Sequence, residues 1–183
     1  MRVPPIENPP SVLAKFAYWI SKRLFGKVIM PLKVVYARNP GLMWTGHQIE
    51  KTMERRLHLD PTLTTLIKVY LSMLNGCAFC KDIALAQAVQ KQLGREKFRD
   101  LARFRDSVAF TDREKAALVY VEEANAKHVT DDTFATLTRH FNDVEVVELT
   151  WVQAAEAYYN ALSVPLAIES DGLEQLAEAR YGK

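Results

Sequence analysis

The chain has 183 residues, of which 49% are apolar and 25% are charged, a balance typical of one globular domain with a full core. The formal charge of +2 and the scattered lysines and arginines exclude an extended basic surface for nucleic acid. Only seven glycines occur, and neither GxGxxG nor GxxxxGK[ST] is present, which excludes the common phosphate-binding loops.

Residues 1–38 are predicted to form an N-terminal helical arm. The first ten residues are polar and rich in proline, unlike a secretory signal, so we expect a cytoplasmic protein. Residues 12–35 are more apolar, but five basic residues and Pro31 interrupt them, so we expect no membrane span. The arm carries more apolar surface than one amphipathic helix needs. It either covers its own domain or wraps a neighbouring subunit, and we expect a homo-oligomer.

Residues 39–168 carry the signals of a helical domain. Asn39-Pro40 and Asp60-Pro61 each place an N-cap residue before a proline at the first helical position. The helix opened by Asp60 has an apolar face at helical spacing, formed by Leu63, Leu66, Ile67, Tyr70, Leu71 and Leu74. Asn75-Gly76 ends that helix, and Cys77 begins the next.

Later helices have equally clear starts. Thr111 with Glu114, and Asn142 with Glu145, form two capping boxes, and Thr130 caps a short helix between them. Pro165 closes the last helix of the domain, and the tail, residues 169–183, is predicted to hold one more helix between Leu173 and Tyr181. No segment alternates with period two. The sequence therefore predicts an all-α, compact multi-helix bundle of roughly seven to nine helices.

The only two cysteines of the chain, Cys77 and Cys80, stand three apart at a predicted helix start. Unpaired backbone N–H groups in the first turn of a helix favour the thiolate, which is the reactive form of cysteine. Such a pair can attack an oxidant and then close into a disulfide. Buried small hydrophobic residues are the alternative interpretation, but an isolated Cys-x-x-Cys favours redox chemistry.

A metal site is not predicted, and neither is an organic cofactor. A structural zinc site needs four nitrogen or sulfur ligands, usually with a second closely spaced pair. The histidines His47, His58, His128 and His140 form no such pair.

The motif Leu74-Asn75-Gly76-Cys77-x-Phe79-Cys80 resembles the cysteine motif of the alkylhydroperoxidase D-like, or carboxymuconolactone decarboxylase-like, superfamily. Two later runs are similar to the same superfamily, Phe110 to Leu118 and His140 to Leu149, followed by Tyr159-Asn160. The likeness covers about residues 39–168. It implies an all-helical fold that assembles as dimers, trimers or hexamers and, in the redox branch, a cysteine pair that reduces hydroperoxides.

The proton relay of the peroxidase branch is absent from its usual positions. That branch carries a glutamate twelve residues before the first cysteine and a histidine four residues after the second, positions occupied here by Thr65 and Ala84. A general acid or base typically contributes ~10²–10⁴-fold to a rate, and neither threonine nor alanine transfers protons at neutral pH. We therefore expect slower reaction with small peroxides than in relatives that carry the relay.

Other side chains are candidates for an auxiliary role beside the cysteines. Lys81 follows Cys77 by one helical turn and could lower a thiol pKa by its charge. Asp82, Tyr70 and Glu148 are further candidate auxiliary residues, and His140, Tyr158 and Tyr159 lie on later helices from which tertiary packing could bring them close.

The sequence favours a thiol-dependent oxidoreductase that reduces a small hydroperoxide or a disulfide in a peroxiredoxin-like, antioxidant reaction, with a separate dithiol as electron donor. Family precedent implies Cys80 as the attacking cysteine and Cys77 as the resolving one, whereas the helix-terminus argument favours attack by Cys77. The alternative is a non-redox enzyme or small-molecule-binding module of the same fold, with its ligand between helices near Tyr158 and Trp151.

Overall fold

A computed structural model of the protein describes residues 1–94 and 96–182. Within these residues the chain is helical and contains no β-strand, which confirms the predicted fold class. A π-helical turn, Leu32–Tyr36, and a short 3₁₀ segment, Leu101–Arg103, lie between the α-helices. The α-helices of the described residues are α1 (Val12–Phe25), α2 (Pro40–Arg55), α3 (Pro61–Leu74), α4 (Ala78–Gln90), α5 (Glu96–Asp100), α6 (Asp112–Asn125), α7 (Asp131–Leu137), α8 (Asp143–Ser163) and α9 (Leu173–Tyr181).

The helix starts follow the predicted capping residues. The Asn39 and Asp60 side chains accept hydrogen bonds from backbone N–H groups of the first turns of α2 and α3. Both predicted capping boxes are present, at Thr111 before α6 and at Asn142 before α8. None of the helices in the described ranges is long and apolar enough to cross a bilayer.

Helix α3 is the central helix of the bundle and packs against α4, α6 and α8. Ten consecutive residues from Leu63 to Ser72 are buried, so the helix is enclosed on every side rather than on one apolar face. The predicted face is wrong at its last position, because Leu74 is exposed. Enclosure of the opposite side also buries Lys68, whose charge must then find partners inside the protein.

The N-terminal arm folds back on the C-terminal segment of its own chain. The Lys27 ammonium donates to the Asp171 carbonyl at 2.8 Å and lies 2.9 Å from its carboxylate, which also accepts from the Met30 backbone N–H. Helix α1 still leaves several large apolar side chains exposed, among them Phe16, Trp19 and Leu24. The fold therefore covers part of the arm and leaves one apolar face of α1 open.

The carboxylate of Asp82 in α4 caps the start of α9. Its oxygens accept from the Ser170 hydroxyl and from the backbone N–H groups of Asp171, Leu173 and Glu174, all between 2.9 and 3.0 Å. Gly172, at the N-cap position of α9, supplies no capping side chain. A buried carboxylate on a neighbouring helix thus satisfies the donors that a local cap would otherwise take.

Replacing Asp82 with alanine is therefore expected to weaken the docking of α9. Loss of the cap leaves buried N–H donors unpaired, so the free energy of unfolding should fall by about 2 kcal/mol or more. Urea unfolding of the wild type, Asp82→Ala and Asp82→Asn checks this, with the asparagine variant intermediate because one acceptor oxygen remains. An alanine variant as stable as the wild type would contradict the capping role.

Candidate active site

The two cysteines join the end of α3 to the start of α4. Cys77 is the N-cap residue of α4, and its sulfur accepts the backbone N–H of Cys80 at 3.2 Å. The Cys77 N–H in turn donates to the Ser72 carbonyl at 2.9 Å. The tight turn between the helices requires the left-handed conformation of Gly76, whose φ is +67°. This turn fixes both cysteines against the central helix.

The Sγ atoms of Cys77 and Cys80 form a disulfide, and both residues are buried, with 2% and 4% of their surface exposed. Cys80 lines a cavity of about 600 Å³, whereas Cys77 is not among the lining residues. A molecule in this cavity can therefore reach Cys80 first.

The cavity walls are mainly apolar. Helix α1, the π-helical turn, α2, α4 and α8 all contribute to them. Apolar side chains that line the cavity include Leu13, Phe16, Ile20, Leu24, Phe25, Ile29, Val35, Met43, Phe79, Ile83 and Leu162. Because α1 supplies much of one wall, the N-terminal arm is part of the candidate site.

Four buried or half-buried polar side chains also reach the cavity, from four helices: Glu50, Lys68, Gln87 and Glu156. The Lys68 ammonium donates to Glu50 Oε1 at 3.1 Å and to Gln87 Oε1 at 2.9 Å, and Gln87 Nε2 donates to Glu50 Oε1 at 2.9 Å. Glu156 Oε1 accepts from Ser72 Oγ at 2.9 Å and from Asn160 Nδ2 at 2.7 Å. These groups, which we call the polar cluster, are the main charged feature of the apolar cavity.

Burial and neighbouring charges shift the pKa values of the three charged groups of the polar cluster, and the outcome differs from group to group. Burial acts to raise the pKa of Glu50, but the Lys68 charge and the Gln87 hydrogen bond outweigh it and lower that pKa. Burial acts to lower the pKa of Lys68, and the charges of Glu50 and Glu156 outweigh it and raise that pKa. For Glu156, burial prevails and raises the pKa despite Lys68, Ser72 and Asn160. The ion pair therefore stabilises the charged forms of Glu50 and Lys68, whereas burial disfavours the charged form of Glu156.

Two tyrosines complete the site on the side of α2. The Tyr159 hydroxyl donates to the Gly46 carbonyl at 2.7 Å, and a Cβ atom at position 46 would lie 2.9 Å from the Tyr36 hydroxyl. Glycine is therefore required at position 46 for this close approach. Burial raises the pKa values of both tyrosines above their usual range, so both hydroxyls keep their protons and act as neutral groups.

The four candidate auxiliary residues lie elsewhere in the fold. Lys81 is exposed, and Asp82 caps α9. The Tyr70 hydroxyl donates to Glu122 at 2.6 Å, and its pKa is raised to about 12 by burial and by that hydrogen bond. Glu148 accepts from the backbone N–H groups of His58 and Leu59. Within the described residues, none of the four lines the cavity beside Cys80.

The two positions of the usual proton relay are also separate from the cavity. The Thr65 hydroxyl donates to the Pro61 carbonyl at 2.7 Å and faces a smaller cavity of about 350 Å³. Ala84 is fully buried in the main core. Lys68 and Gln87 line both cavities, so the polar cluster lies between them.

Across residues 1–94 and 96–182, no group of three or more His, Cys, Asp or Glu side chains is placed to hold a metal ion. The side chains that line the cavity provide a disulfide sulfur, carboxyl groups, an ammonium group, an imidazole and tyrosine hydroxyls.

Comparison with known proteins supports the resemblance in sequence. The sequence model of the carboxymuconolactone decarboxylase family matches residues 46–123, from α2 through α6, including both cysteines. A crystallised Agrobacterium tumefaciens protein, described as of unknown function and proposed for antioxidant defence as an AhpD protein, superposes with a TM-score of 0.70 and is 28% identical. That match covers 75% of this chain and 96% of the other. The matched residues and the superposition both support the resemblance of this chain to the alkylhydroperoxidase D-like, or carboxymuconolactone decarboxylase-like, superfamily.

Two further members of the comparison extend the similarity to the N-terminal arm. The uncharacterised Escherichia coli (strain K12) protein YnjA is 28% identical over 98% of this chain and 100% of its own length. The debrominase Bmp8, crystallised in complex with 2,3,4-tribromopyrrole, superposes with a TM-score of 0.82 at 17% identity over 99% of this chain and 97% of that one. At 17% identity, the likeness to Bmp8 concerns the fold alone. The N-terminal arm is thus matched in sequence by YnjA and in fold by Bmp8.

Proposed function

We propose that the protein is a thiol-dependent oxidoreductase that reduces an organic hydroperoxide, or a disulfide, through the Cys77–Cys80 dithiol. The observation that carries the proposal is the position of Cys80, which lines a large apolar cavity while Cys77 stands behind it within disulfide distance. A nucleophilic cysteine needs access to its substrate, and a resolving cysteine needs access to the first. Cys80 meets the first requirement because it lines the cavity, and Cys77 meets the second because it bonds to Cys80.

The proposed reaction has two steps after the disulfide has been reduced. The Cys80 thiolate attacks the terminal oxygen of the hydroperoxide, an S–O bond forms, the O–O bond breaks, and the alkoxide leaves and takes up a proton. The product is a sulfenic acid on Cys80. The Cys77 thiol then displaces hydroxide from that sulfur, which forms the disulfide and, with the thiol proton, water. An external dithiol supplies two electrons and two protons to regenerate the pair.

The walls of the cavity favour an apolar organic substrate over hydrogen peroxide. Burying a phenyl-sized group contributes about 1.5–3 kcal/mol, which corresponds to a factor of about 10–100 in binding. We therefore expect kcat/KM for cumene hydroperoxide to exceed that for hydrogen peroxide by about 10-fold or more. Steady-state peroxide consumption with dithiothreitol as donor measures this ratio. Ile83→Gln, which makes the wall polar, should reduce the preference, and equal rates with both peroxides in the wild type would contradict it.

A second candidate substrate class follows from the cavity and the fold. The debrominase Bmp8, which shares the fold, was crystallised with a tribromopyrrole. A cavity of about 600 Å³ with apolar walls beside Cys80 has room for a halogenated ring. The balanced reaction converts an aryl bromide and the dithiol to the arene, the disulfide, bromide and a proton. Bromide release from 2,3,4-tribromopyrrole, measured beside peroxide consumption, separates the two substrate classes.

The non-redox alternative predicts a different pattern. Trp151 is partly exposed, and neither it nor Tyr158 is among the residues that line the large cavity. A binding module would take apolar ligands in this cavity equally well with reduced or alkylated cysteines. An oxidoreductase would lose all turnover on alkylation of Cys80.

The exposed face of α1 supports a further proposal, that the protein is a homo-oligomer. Trp19 is 58% exposed, stacks on Phe16 and does not line the cavity. Clustered exposed aromatic residues of this kind are typical of an interface. Light scattering should give a multiple of 20.8 kDa for the wild type and a smaller species for Trp19→Glu, with Lys15→Glu as a control for added negative charge. A wild type that is monomeric at micromolar concentration would contradict the proposal.

A further inference from the structure

Glu156, in the middle of α8, is an acidic group that neither the predicted relay nor the proposed reaction has used so far. It is 2% exposed and lines the same cavity as Cys80. Its Oε1 accepts two hydrogen bonds, from Ser72 and Asn160, whereas Oε2 has no hydrogen-bond partner among the described residues. The carboxyl group is therefore held firmly through one oxygen and keeps the other for a proton or a ligand.

The other two charged members of the polar cluster are paired with each other. Lys68 and Glu50 form a direct ion pair, and Gln87 bridges them. Among the described residues, Glu156 has no ion-pair partner within 4.0 Å. It is thus the member of the cluster that can change its charge without breaking an ion pair.

A hydrogen-bonded connection fixes Glu156 relative to the cysteine turn. The Ser72 carbonyl accepts the N–H of Cys77, and the hydroxyl of the same serine donates to Glu156 Oε1. One residue at the end of α3 therefore contacts both the cysteine turn and the carboxyl group. Such a shared support is what a proton-transfer pair needs to keep its geometry.

We infer that Glu156 is the group that exchanges the proton with Cys80 and with the leaving oxygen of the substrate. It would replace the relay whose usual positions hold Thr65 and Ala84. This inference rests on the proposed function, since it assigns the proton in the same reaction.

The proton balance is as follows. In the reduced protein the Glu156 carboxylate takes the proton of the Cys80 thiol, which leaves a thiolate beside a neutral carboxyl group. When the thiolate attacks the hydroperoxide and the O–O bond breaks, the departing alkoxide takes the proton from Glu156 and leaves as an alcohol. The terminal hydroxyl of the hydroperoxide becomes the hydroxyl of the sulfenic acid. Reduction of the disulfide returns a proton to Cys80 and restarts the cycle.

Several titratable side chains line the same cavity as Glu156 and influence its charge. The titratable side chains that line the cavity with it on neighbouring elements are His47, Glu50 and Glu54 on α2, Lys68 on α3, Tyr36 in the π-helical turn and Cys80 on α4. Tyr159 on α8 also lines it and is neutral, as is Tyr36. Burial keeps the pKa of Glu156 raised against the pull of Lys68. In the proposed reaction, Glu156 and the Cys80 thiol share one proton, and two groups that share a proton titrate as a coupled pair.

The test measures the rate at which cumene hydroperoxide oxidises the reduced protein. The reaction is quenched with an alkylating agent, and the rate is measured over a range of pH. The wild type should give a bell-shaped profile, because the reactive pair holds a single proton. Glu156→Gln should lower the maximal rate by about 100-fold or more and convert the profile to a single rise that follows the thiol. Glu145→Gln is the matched control, since Glu145 is on the same helix but serves the capping box outside the cavity.

The outcomes separate this inference from the proposed function. A wild type that is not oxidised would overturn the proposed function and the inference with it. A wild type that is oxidised, together with a Glu156→Gln variant of equal rate and equal pH profile, would overturn the inference alone. The variant should fold, because glutamine is neutral and its amide oxygen can accept from Ser72 and Asn160. If it does not fold, the carbon-13 titration of the Glu156 carboxyl in reduced wild-type protein decides. Titration coupled to the Cys80 thiol supports the inference, and a carboxylate ionised throughout the neutral range overturns it.

Discussion

Replacing Cys80 with serine is expected to abolish the reaction with hydroperoxide, whereas Cys77→Ser should retain a single turnover. Cys80 lines the cavity, and Cys77 does not. A serine hydroxyl at position 80 is not ionised at neutral pH and cannot accept the oxygen. In Cys77→Ser the first step is intact, but no second thiol resolves the sulfenic acid. The reaction of Cys80→Ser should therefore fall to the rate of the protein-free control.

Mass spectrometry after trapping with a sulfenic-acid reagent measures this difference. Cys77→Ser should carry the trapped adduct on Cys80, and Cys80→Ser should carry none on Cys77. The two variants serve as controls for each other, because both lack the disulfide and differ only in which sulfur remains. An adduct on Cys77 in Cys80→Ser would contradict the assignment and favour attack by the cysteine at the N-cap of α4.

Removing the carboxylate of Glu50 is expected to give the largest loss of stability among the charged side chains of the cavity. Lys68 is buried on the central helix, and its ammonium depends on Glu50 and Gln87 for partners. A buried charge left without its counter-ion typically costs about 3–5 kcal/mol, and because Gln87 remains we expect about 3 kcal/mol for Glu50→Ala. The surface pair of Arg103 and Asp100 is the control. Arg103→Ala, which leaves the Asp100 hydrogen bond with Ser107 in place, should change stability by less than about 1 kcal/mol.

The pH dependence of this effect has a definite sign. The pKa of Glu50 is lowered in the folded protein, so its contribution is fully present above the pKa of the unfolded chain. It is lost as the pH falls through the lowered value. Urea unfolding at neutral and at acidic pH should therefore show a gap between wild type and Glu50→Ala that narrows in acid. Replacing both Glu50 and Lys68 with methionine should recover most of the loss. A Glu50→Ala variant as stable as the wild type would contradict this account of the Glu50–Lys68 ion pair.

The parts of the fold that depend on local sequence could be predicted well. The N-caps at Asn39, Asp60, Thr111 and Asn142 define helix starts because a short polar side chain bonds to N–H groups two or three residues ahead. The start of α4 at Cys77 follows from the same local rule. These interactions lie within one turn of the chain, so the sequence alone contains them.

The candidate site could be predicted only at its cysteines, because its other groups meet through tertiary packing. Glu50, Lys68 and Glu156 lie on α2, α3 and α8 and are brought together by the enclosure of α3. One signal was present in the sequence. Lys68 follows Leu66-Ile67 and precedes Val69 in a strongly apolar helix, and a charge in such a run must be paired once it is buried.

The auxiliary residues that the sequence predicts beside the cysteines lie in other parts of the fold. The sequence predicts Lys81 from its spacing of one helical turn from Cys77, and Asp82 from its place two residues after Cys80, where it faces away from that cysteine. In the structure Asp82 reaches the neighbouring helix α9, whereas the Lys81 side chain reaches solvent. Tyr70 and Glu148 are engaged in other parts of the bundle. A role for these four residues beside the cysteines stays a prediction that the cavity lining does not support.

The central claim, that Cys77 and Cys80 are a working redox couple, is tested most directly by intact-mass spectrometry of the protein after alkylation. Protein reduced with dithiothreitol and then freed of it should accept two alkyl groups per chain. After one equivalent of cumene hydroperoxide it should accept none and should weigh two hydrogens less than the reduced chain. A second treatment with dithiothreitol should restore both alkylation sites. Thiols that stay fully alkylatable after treatment with excess hydroperoxide, in protein that remains folded, would contradict the account.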